Sequence, residues 1–177
     1  MRRLLDQVER AAPSTVPVLL QGETGSGKDV IARCLHAASG RRGPLVAVNC
    51  AALSPALADS ELFGHVRGAF TGAERTRPGL IEQSDRGTLL LDEVGDLDPA
   101  IQAKLLRVVE DGVVRRVGSN AVVVVDLRLV AATNRDLAAL VVAGRFRADL
   151  YHRLAGVTLT VYPLRERPED IEPLLAH

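Results

Sequence analysis

The sequence has no surplus of either charge: 22 Lys plus Arg stand against 22 Asp plus Glu in 177 residues. A nucleic-acid binder carries a basic face or stripe, so direct DNA binding by this segment is not expected. Cysteine is scarce. Cys34 and Cys50 lack paired spacing, which fits neither a disulfide framework nor a zinc site. A reducing cytoplasm is the expected compartment. Long apolar runs are also missing: Ala121 to Val125 falls far short of the ~20 residues that cross a bilayer, and no membrane partner is expected. Arg2 and Arg3 resemble the start of an export signal, but Asp6, Gln7 and Glu9 interrupt any apolar region behind them. They read as a solvated helix start. No internal repeat or low-complexity tract occurs.

What the chain does have is apolar residues in short runs. A hydrophobic fraction of 47% suffices for one core at this length, so a single domain over residues 1–177 is expected. Runs rich in Val and Leu alternate with amphipathic stretches, the pattern of parallel strands joined by crossover helices. The expected fold is α/β in three layers, with five strands at Val16 to Gln21, Leu45 to Asn49, Thr88 to Asp92, Arg128 to Thr133 and Val157 to Val161. Asp98 caps a predicted helix with Pro99 at its first position, buried Ile101, Leu105, Leu106 and Val109, and a stop at Gly112. Asp136 and Gly144 bracket another. Gly64 to Pro78 fits neither period and reads as a long loop around Phe70, a place where function concentrates. Pro168 opens a further helix just before the sequence stops, so the sequence reads as cut.

Gly22-Glu23-Thr24-Gly25-Ser26-Gly27-Lys28 follows the first apolar strand and precedes the helical pattern Val30, Ile31, Cys34, Leu35. Glycines let such a loop curl so that successive amides face phosphate oxygens, while a helix N-terminus adds partial positive charge and Lys28 a full one. That strand, loop and helix context predicts a triphosphate grip. A glycine-rich turn with a solvated lysine is the plain alternative. Asp29 stands where the general pattern has a Ser or Thr hydroxyl for magnesium, so the metal must be held another way.

Gly87 to Glu93 is a buried strand ending in two carboxylates, at the edge where ligands of open α/β sheets sit. Chemistry divides the roles: Asp92 positions Mg2+ through its water shell, and Glu93 takes a proton from the water that attacks the γ-phosphate. ATP and Mg2+ are thus the expected substrate and cofactor. Asn134, closing the strand Val130 to Thr133, could orient the same water, though alone it is an ordinary turn residue. Arg147 and Arg153, six residues apart, would point about 120° apart on a helix. Taken alone, two arginines on a helix more often form a solvated or salt-bridged face.

Glu61-Leu62-Phe63-Gly64-His65-Val66-Arg67-Gly68-Ala69-Phe70-Thr71-Gly72-Ala73 closely resembles the signature of bacterial enhancer-binding proteins, the AAA+ activators of sigma-54 RNA polymerase. Gly22 to Asp29 resembles that family's phosphate loop, in which an acidic residue commonly follows the lysine. Gly87 to Leu97 resembles its acidic strand, Leu129 to Leu137 its first sensor, and Phe146 to Leu154 with Pro163 to Ile171 its arginine-finger region. The resemblance implies an AAA+ P-loop NTPase core, an ATPase, working as a homo-oligomeric ring, expected to be a hexamer. It implies that Gly68, Ala69, Phe70, Thr71, Gly72 and Ala73 form the loop that touches sigma-54, with Phe70 and Thr71 in contact. A Phe70 tucked into the core is the alternative. It further implies that Asn49 holds Glu93, that Asn134 acts as a sensor, and that Arg147 and Arg153 reach the ATP of the next subunit. A helical lid would be expected after this segment, so the segment alone would bind ATP while hydrolysing it poorly. Two rival functions stand beside a sigma-54 activator core: an AAA+ remodeller of another client, and a nucleotide-binding regulatory module without useful catalysis.

Overall fold

A computed structural model describes residues 2–54 and 57–171. In chain order its elements are α1 (Arg2–Ala11), β1 (Val18–Gln21), α2 (Lys28–Ala38), β2 (Leu45–Asn49), α3 (Ala58–Phe63), β3 (Gly64–His65), β4 (Arg77–Pro78) and α4 (Leu80–Gln83). There follow β5 (Thr88–Asp92), α5 (Pro99–Asp111), β6 (Val113–Arg115), β7 (Val122–Val124), β8 (Arg128–Thr133), α6 (Leu137–Val142), α7 (Ala148–Leu154) and β9 (Val157–Thr160).

The five Val- and Leu-rich runs form one parallel sheet in the order β2-β5-β8-β1-β9. β1 begins at Val18 rather than Val16 because Pro17 has no N–H to give the ladder; its carbonyl instead accepts from Val157 at 3.0 Å. Successive side chains of a strand point to opposite faces, and the core divides accordingly. Leu19, Leu89, Leu91, Leu129 and Ala131 pack with Leu62, Phe63, Leu105, Leu150 and Leu154 on one face. Val18, Leu20, Leu90, Val130 and Ala132 pack with Val8, Ile31 and Leu35 of α1 and α2 on the other. Both faces are covered, so the middles of β1, β5 and β8 are continuously apolar. At about 1.5–3 kcal/mol per fully buried large aliphatic side chain, this burial is the main stabilising term.

Local signals set the helix ends. Asp98 accepts from the Ala100 N–H at 2.8 Å and Gly112 ends α5 in the left-handed conformation at φ 64°. Val108, not Val109, fills the fully buried position of its last turns; Leu106 and Val109 are only partly buried against the same core. Asp136 caps α6 through the Ala139 N–H at 3.1 Å.

Two features depart from the sequence reading. The Gly64–Pro78 segment is not irregular throughout: its ends pair antiparallel as β3 and β4, Gly64 with Pro78 and His65 with Arg77. Val122–Val124 is a strand, paired antiparallel with Val113–Arg115. Neither pair shows the alternating pattern over enough residues to stand out in sequence. The two hairpins touch, with the Val66 N–H donating to Val117 O at 3.1 Å and the Val117 N–H to Gly64 O at 2.9 Å. Pro168–Asp170 forms a short 3-10 turn, and the continuation of that helix after Ile171 lies outside the described residues.

Candidate functional site

The carboxyl ends of β1, β5 and β8 meet at one edge of the sheet. From β1 the chain leaves through Gly22, whose N–H donates to Thr133 O at 3.2 Å; a Cβ there would lie 2.3 Å from Val161 O, so only glycine fits. Gly25 and Gly27 take φ of 78° and 91°, conformations that glycine adopts without steric cost. Gly27 caps α2, placing the unpaired amides of the helix start in the loop. Lys28 is 6% exposed, and its Nζ donates to Gly22 O at 2.9 Å and Glu23 O at 3.2 Å. Ser26 is buried with no hydrogen-bond partner for its hydroxyl among the described residues. Asp29 is exposed in the first turn of α2, where the helix dipole favours an acid.

From β5 the chain leaves through the two carboxylates. Glu93 adopts left-handed dihedrals, φ 51° and ψ 47°, which cost an L-residue about 1–2 kcal/mol. Val94 behind it is buried and begins a 3-10 turn. The Glu93 carboxylate has two neighbours: Oε1 lies 3.7 Å from Lys28 Nζ, and Oε2 accepts from the Asn134 N–H at 3.1 Å. Asp92 Oδ1 accepts from the Glu93 N–H at 3.1 Å. Burial, and then the charge of Glu93, push the Asp92 carboxyl above its ordinary pKa, with the Glu93 N–H and Lys28 opposing. The same acidic edge reaches Cys50: burial first, then Asp92, Asp96 and Glu93, raise its thiol to about 12.

Asn134 is the joint between the two loops. Its backbone N–H holds Glu93, and its Nδ2 donates to Thr24 Oγ1 at 3.0 Å. Asn49 is in register with Asp92 across β2 and β5, but its side chain does not reach Glu93; its Oδ1 accepts from the Ala51 N–H at 2.9 Å and caps a 3-10 turn. The groups that meet the Glu93 carboxylate are Lys28 and the Asn134 N–H.

Arg147 and Arg153 are both exposed, and the 120° expectation fails for a local reason. Arg147 precedes α7 as its N-cap, in extended backbone at φ −74° and ψ 131°. Its guanidinium meets Asp149 through two hydrogen bonds, at 3.0 and 2.7 Å. Arg153 donates from Nε to Glu110 Oε1 at 3.0 Å. Gln102 sets the backbone beneath Arg147. Fully buried, it accepts from the Arg147 N–H at 2.9 Å and donates to Leu97 O at 2.8 Å and Arg145 O at 3.1 Å. As one polar residue on an apolar helix face it was a visible anomaly, and its partners were not.

The loop Gly68–Ala73 turns at Gly68 and Gly72, with φ of 81° and 98° and open space around both. Ala73 is buried, whereas Thr71 is exposed. Phe70 is 40% exposed and not in the core; its ring meets His65 edge-on with centroids 5.0 Å apart. The 116–119 turn supports the loop from below, where Gly118 packs so closely that a Cβ would lie 2.7 Å from that of Ala69. Sequence reasoning missed that support; it marked Pro163 to Ile171 by resemblance but did not single out Arg165 and Arg167, which the chain after β9 brings onto the phosphate loop.

A glycine loop closing on a helix start, beside two carboxylates at the carboxyl edge of a parallel sheet, defines a P-loop nucleotide-binding core of the AAA+ type. The profile of the family described as "Sigma-54 interaction domain" matches residues 1–160, and the chain belongs to that family. It is 56% identical over 175 residues to the transcriptional regulatory protein ZraR of Klebsiella oxytoca, covering 98% of this chain and 40% of that protein. It is 55% identical over 172 residues to the anaerobic nitric oxide reductase transcription regulator NorR of Escherichia coli, covering 97% of this chain and 34% of the relative. The crystal structure of NtrX from Brucella abortus in complex with ATP superposes with a TM-score of 0.89 at 39% identity, over 99% of this chain and 40% of that one. This chain therefore spans about two-fifths of the length of such relatives. Among the described residues no helix is long and apolar enough to cross a membrane.

Proposed function

We propose that this chain is the ATP-binding and ATP-hydrolysing core of a sigma-54-dependent transcriptional activator, which remodels the closed complex of sigma-54 RNA polymerase in the cytoplasm. The observation that carries this reading is the convergence of Lys28, Asp92, Glu93 and Asn134 at one sheet edge. Regulators such as ZraR and NorR, and NtrX with ATP bound, support it by similarity.

The triphosphate is the substrate, received by the amides of Gly22 to Asp29 and by Lys28. Lys28 Nζ is pointed at two loop carbonyls, contacts that phosphate oxygens would replace with stronger charge-assisted ones. Glu93 acts as general base toward the attacking water, oriented by Asn134. Mg2+ takes few protein ligands and keeps several waters. Among the described residues no three His, Cys, Asp or Glu side chains gather to hold a metal, and a half-buried Asp92 with raised proton affinity fits the smaller demand. Bound there, the ion would neutralise charge on the phosphates. Arg147 and Arg153 reach the ATP of the next subunit in a homo-oligomeric ring, exchanging Asp149 and Glu110 for phosphate oxygens. Gly68 to Ala73 meets sigma-54 through Phe70 and Thr71.

The chain at concentrations that favour ring assembly should hydrolyse ATP in a magnesium-dependent manner. Glu93→Gln should keep ATP binding and lower turnover by roughly 10²- to 10⁴-fold; undiminished turnover in that variant would remove the assignment. Capture of sigma-54 with ADP and a transition-state mimic of the γ-phosphate, lost on Thr71→Ala, distinguishes this function from remodelling of another client.

A further inference from the structure

After β9 the chain turns back over the phosphate loop. The Val161 N–H donates to Gln21 O at 2.7 Å, and two 3-10 turns, Leu164–Glu166 and Pro168–Asp170, carry Arg165 and Arg167 toward the loop. Arg165 grips Glu23 through two parallel bonds, Nη1 to Oε2 at 2.7 Å and Nη2 to Oε1 at 2.5 Å. Arg167 is 8% exposed. Its Nη2 donates to the Ser26 carbonyl at 2.7 Å, and its Nη1 lies 3.4 Å from Asp170 Oδ2.

The Ser26 carbonyl belongs to the peptide between Ser26 and Gly27, and Gly27 is in the left-handed conformation at φ 91°. A trans peptide is planar and its C=O and N–H point in opposite directions. Holding the Ser26 oxygen toward Arg167 therefore turns the Gly27 N–H away from the strap. Glycine at position 27, with no Cβ to hinder rotation, leaves this peptide free to turn over. An external donor is what selects one orientation.

We infer that Arg167 is a positioning residue for phosphate binding, fixing the Ser26–Gly27 peptide so that the Gly27 amide faces the triphosphate, and that the Arg165–Glu23 pair ties the strap to the loop. The inference rests on the nucleotide-binding reading above. The chain segment leading away from the sheet is thereby coupled to the phosphate grip: displacing 163–170 loosens the loop, and binding a triphosphate holds the strap down. The Arg165–Glu23 pair is exposed and so contributes little to overall stability, which separates its effect on ATP from an effect on folding.

The test is ATP affinity of the chain by calorimetry, with thermal melting as control. Arg167→Met should weaken ATP binding roughly tenfold, the worth of one charge-assisted hydrogen bond, and Arg167→Lys should restore most of it. Arg165→Met, Glu23→Gln and the double substitution should each weaken binding about threefold, with no further loss in the double because both singles remove the same tie. Failure of the unsubstituted chain to bind ATP would overturn the nucleotide reading and this inference together. Normal binding by that chain, with unchanged affinity in Arg167→Met or with additive losses at Arg165 and Glu23, would overturn the strap alone.

Discussion

Lys28 Nζ and Glu93 Oε1 lie 3.7 Å apart, facing each other across the space between the phosphate loop and the acidic strand end. Each offsets the other's burial, since an unpaired charge at this depth is costly. A γ-phosphate reaching this space takes Lys28 as partner and leaves Glu93 free to act on water. Lys28→Ala should therefore weaken ATP binding by roughly 10- to 100-fold, the loss of charge-assisted bonds of about 1.5–3 kcal/mol. Equal ATP uptake by that variant in calorimetry would remove Lys28 from the site.

Asp92 gives a pH signature. Its folded carboxyl is raised by burial and by Glu93, so the native state holds this proton more tightly than the unfolded chain does. The stability that protonation contributes is complete below the unfolded value of about 3.9 and is lost as pH rises through the higher folded value. Asp92→Asn removes the ionisation cost: it should melt at a higher temperature than the unsubstituted chain at pH 7, with the difference closing below about pH 3.9. An Asp92→Asn chain that melts lower at pH 7 would contradict this environment. Magnesium-dependent turnover should fall in the same variant.

Gln102 is buried and satisfied at every polar atom by Leu97, Arg145 and Arg147 backbone groups. Gln102→Leu leaves those groups without partners, a loss of about 1–3 kcal/mol in stability by denaturant titration. Because the Arg147 backbone is released while the phosphate loop is untouched, turnover in the assembled ring should fall with ATP affinity preserved. A loss of affinity instead would show that Gln102 acts on the loop.

Cys50 provides a probe of the same edge. Its thiol, pushed up to about 12 from 9.0, should hold roughly 10³-fold less thiolate at pH 8 than a free cysteine. Alkylation by iodoacetamide at pH 8, followed by mass spectrometry, should modify Cys34 first. Rapid modification of Cys50 in the folded chain would place it outside the buried acidic environment described.

The central strands β1, β5 and β8 were legible because each is a largely apolar run buried on both faces, and the edge strands β2 and β9 because Val and Leu recur in short runs, patterns that need no knowledge of neighbours. The ends of α5 and α6 were legible for a similar reason, since Asp98, Gly112 and Asp136 act on their own turns. The hairpins β3–β4 and β6–β7 were not: two or three residues of pairing carry no period, and Val122–Val124 reads as an apolar run until Val113–Arg115 lies beside it. Arg147 was placed on a helix from spacing alone, while its extended backbone follows from Gln102 and Asp149, 45 residues distant and two residues on.

By itself the sequence determined which residues could grip a phosphate, because positive φ demands glycine at Gly25 and Gly27 and a strand tip demands apolar residues before Asp92. Only the tertiary structure decided what those residues touch. Asn134 meets Thr24 across 110 positions and Arg165 meets Glu23 across 142. Such pairings depend on the strand order β2-β5-β8-β1-β9 and on where each crossover returns the chain. Sequence periodicity records which side of an element is buried; it holds no information on which distant side chain will stand opposite.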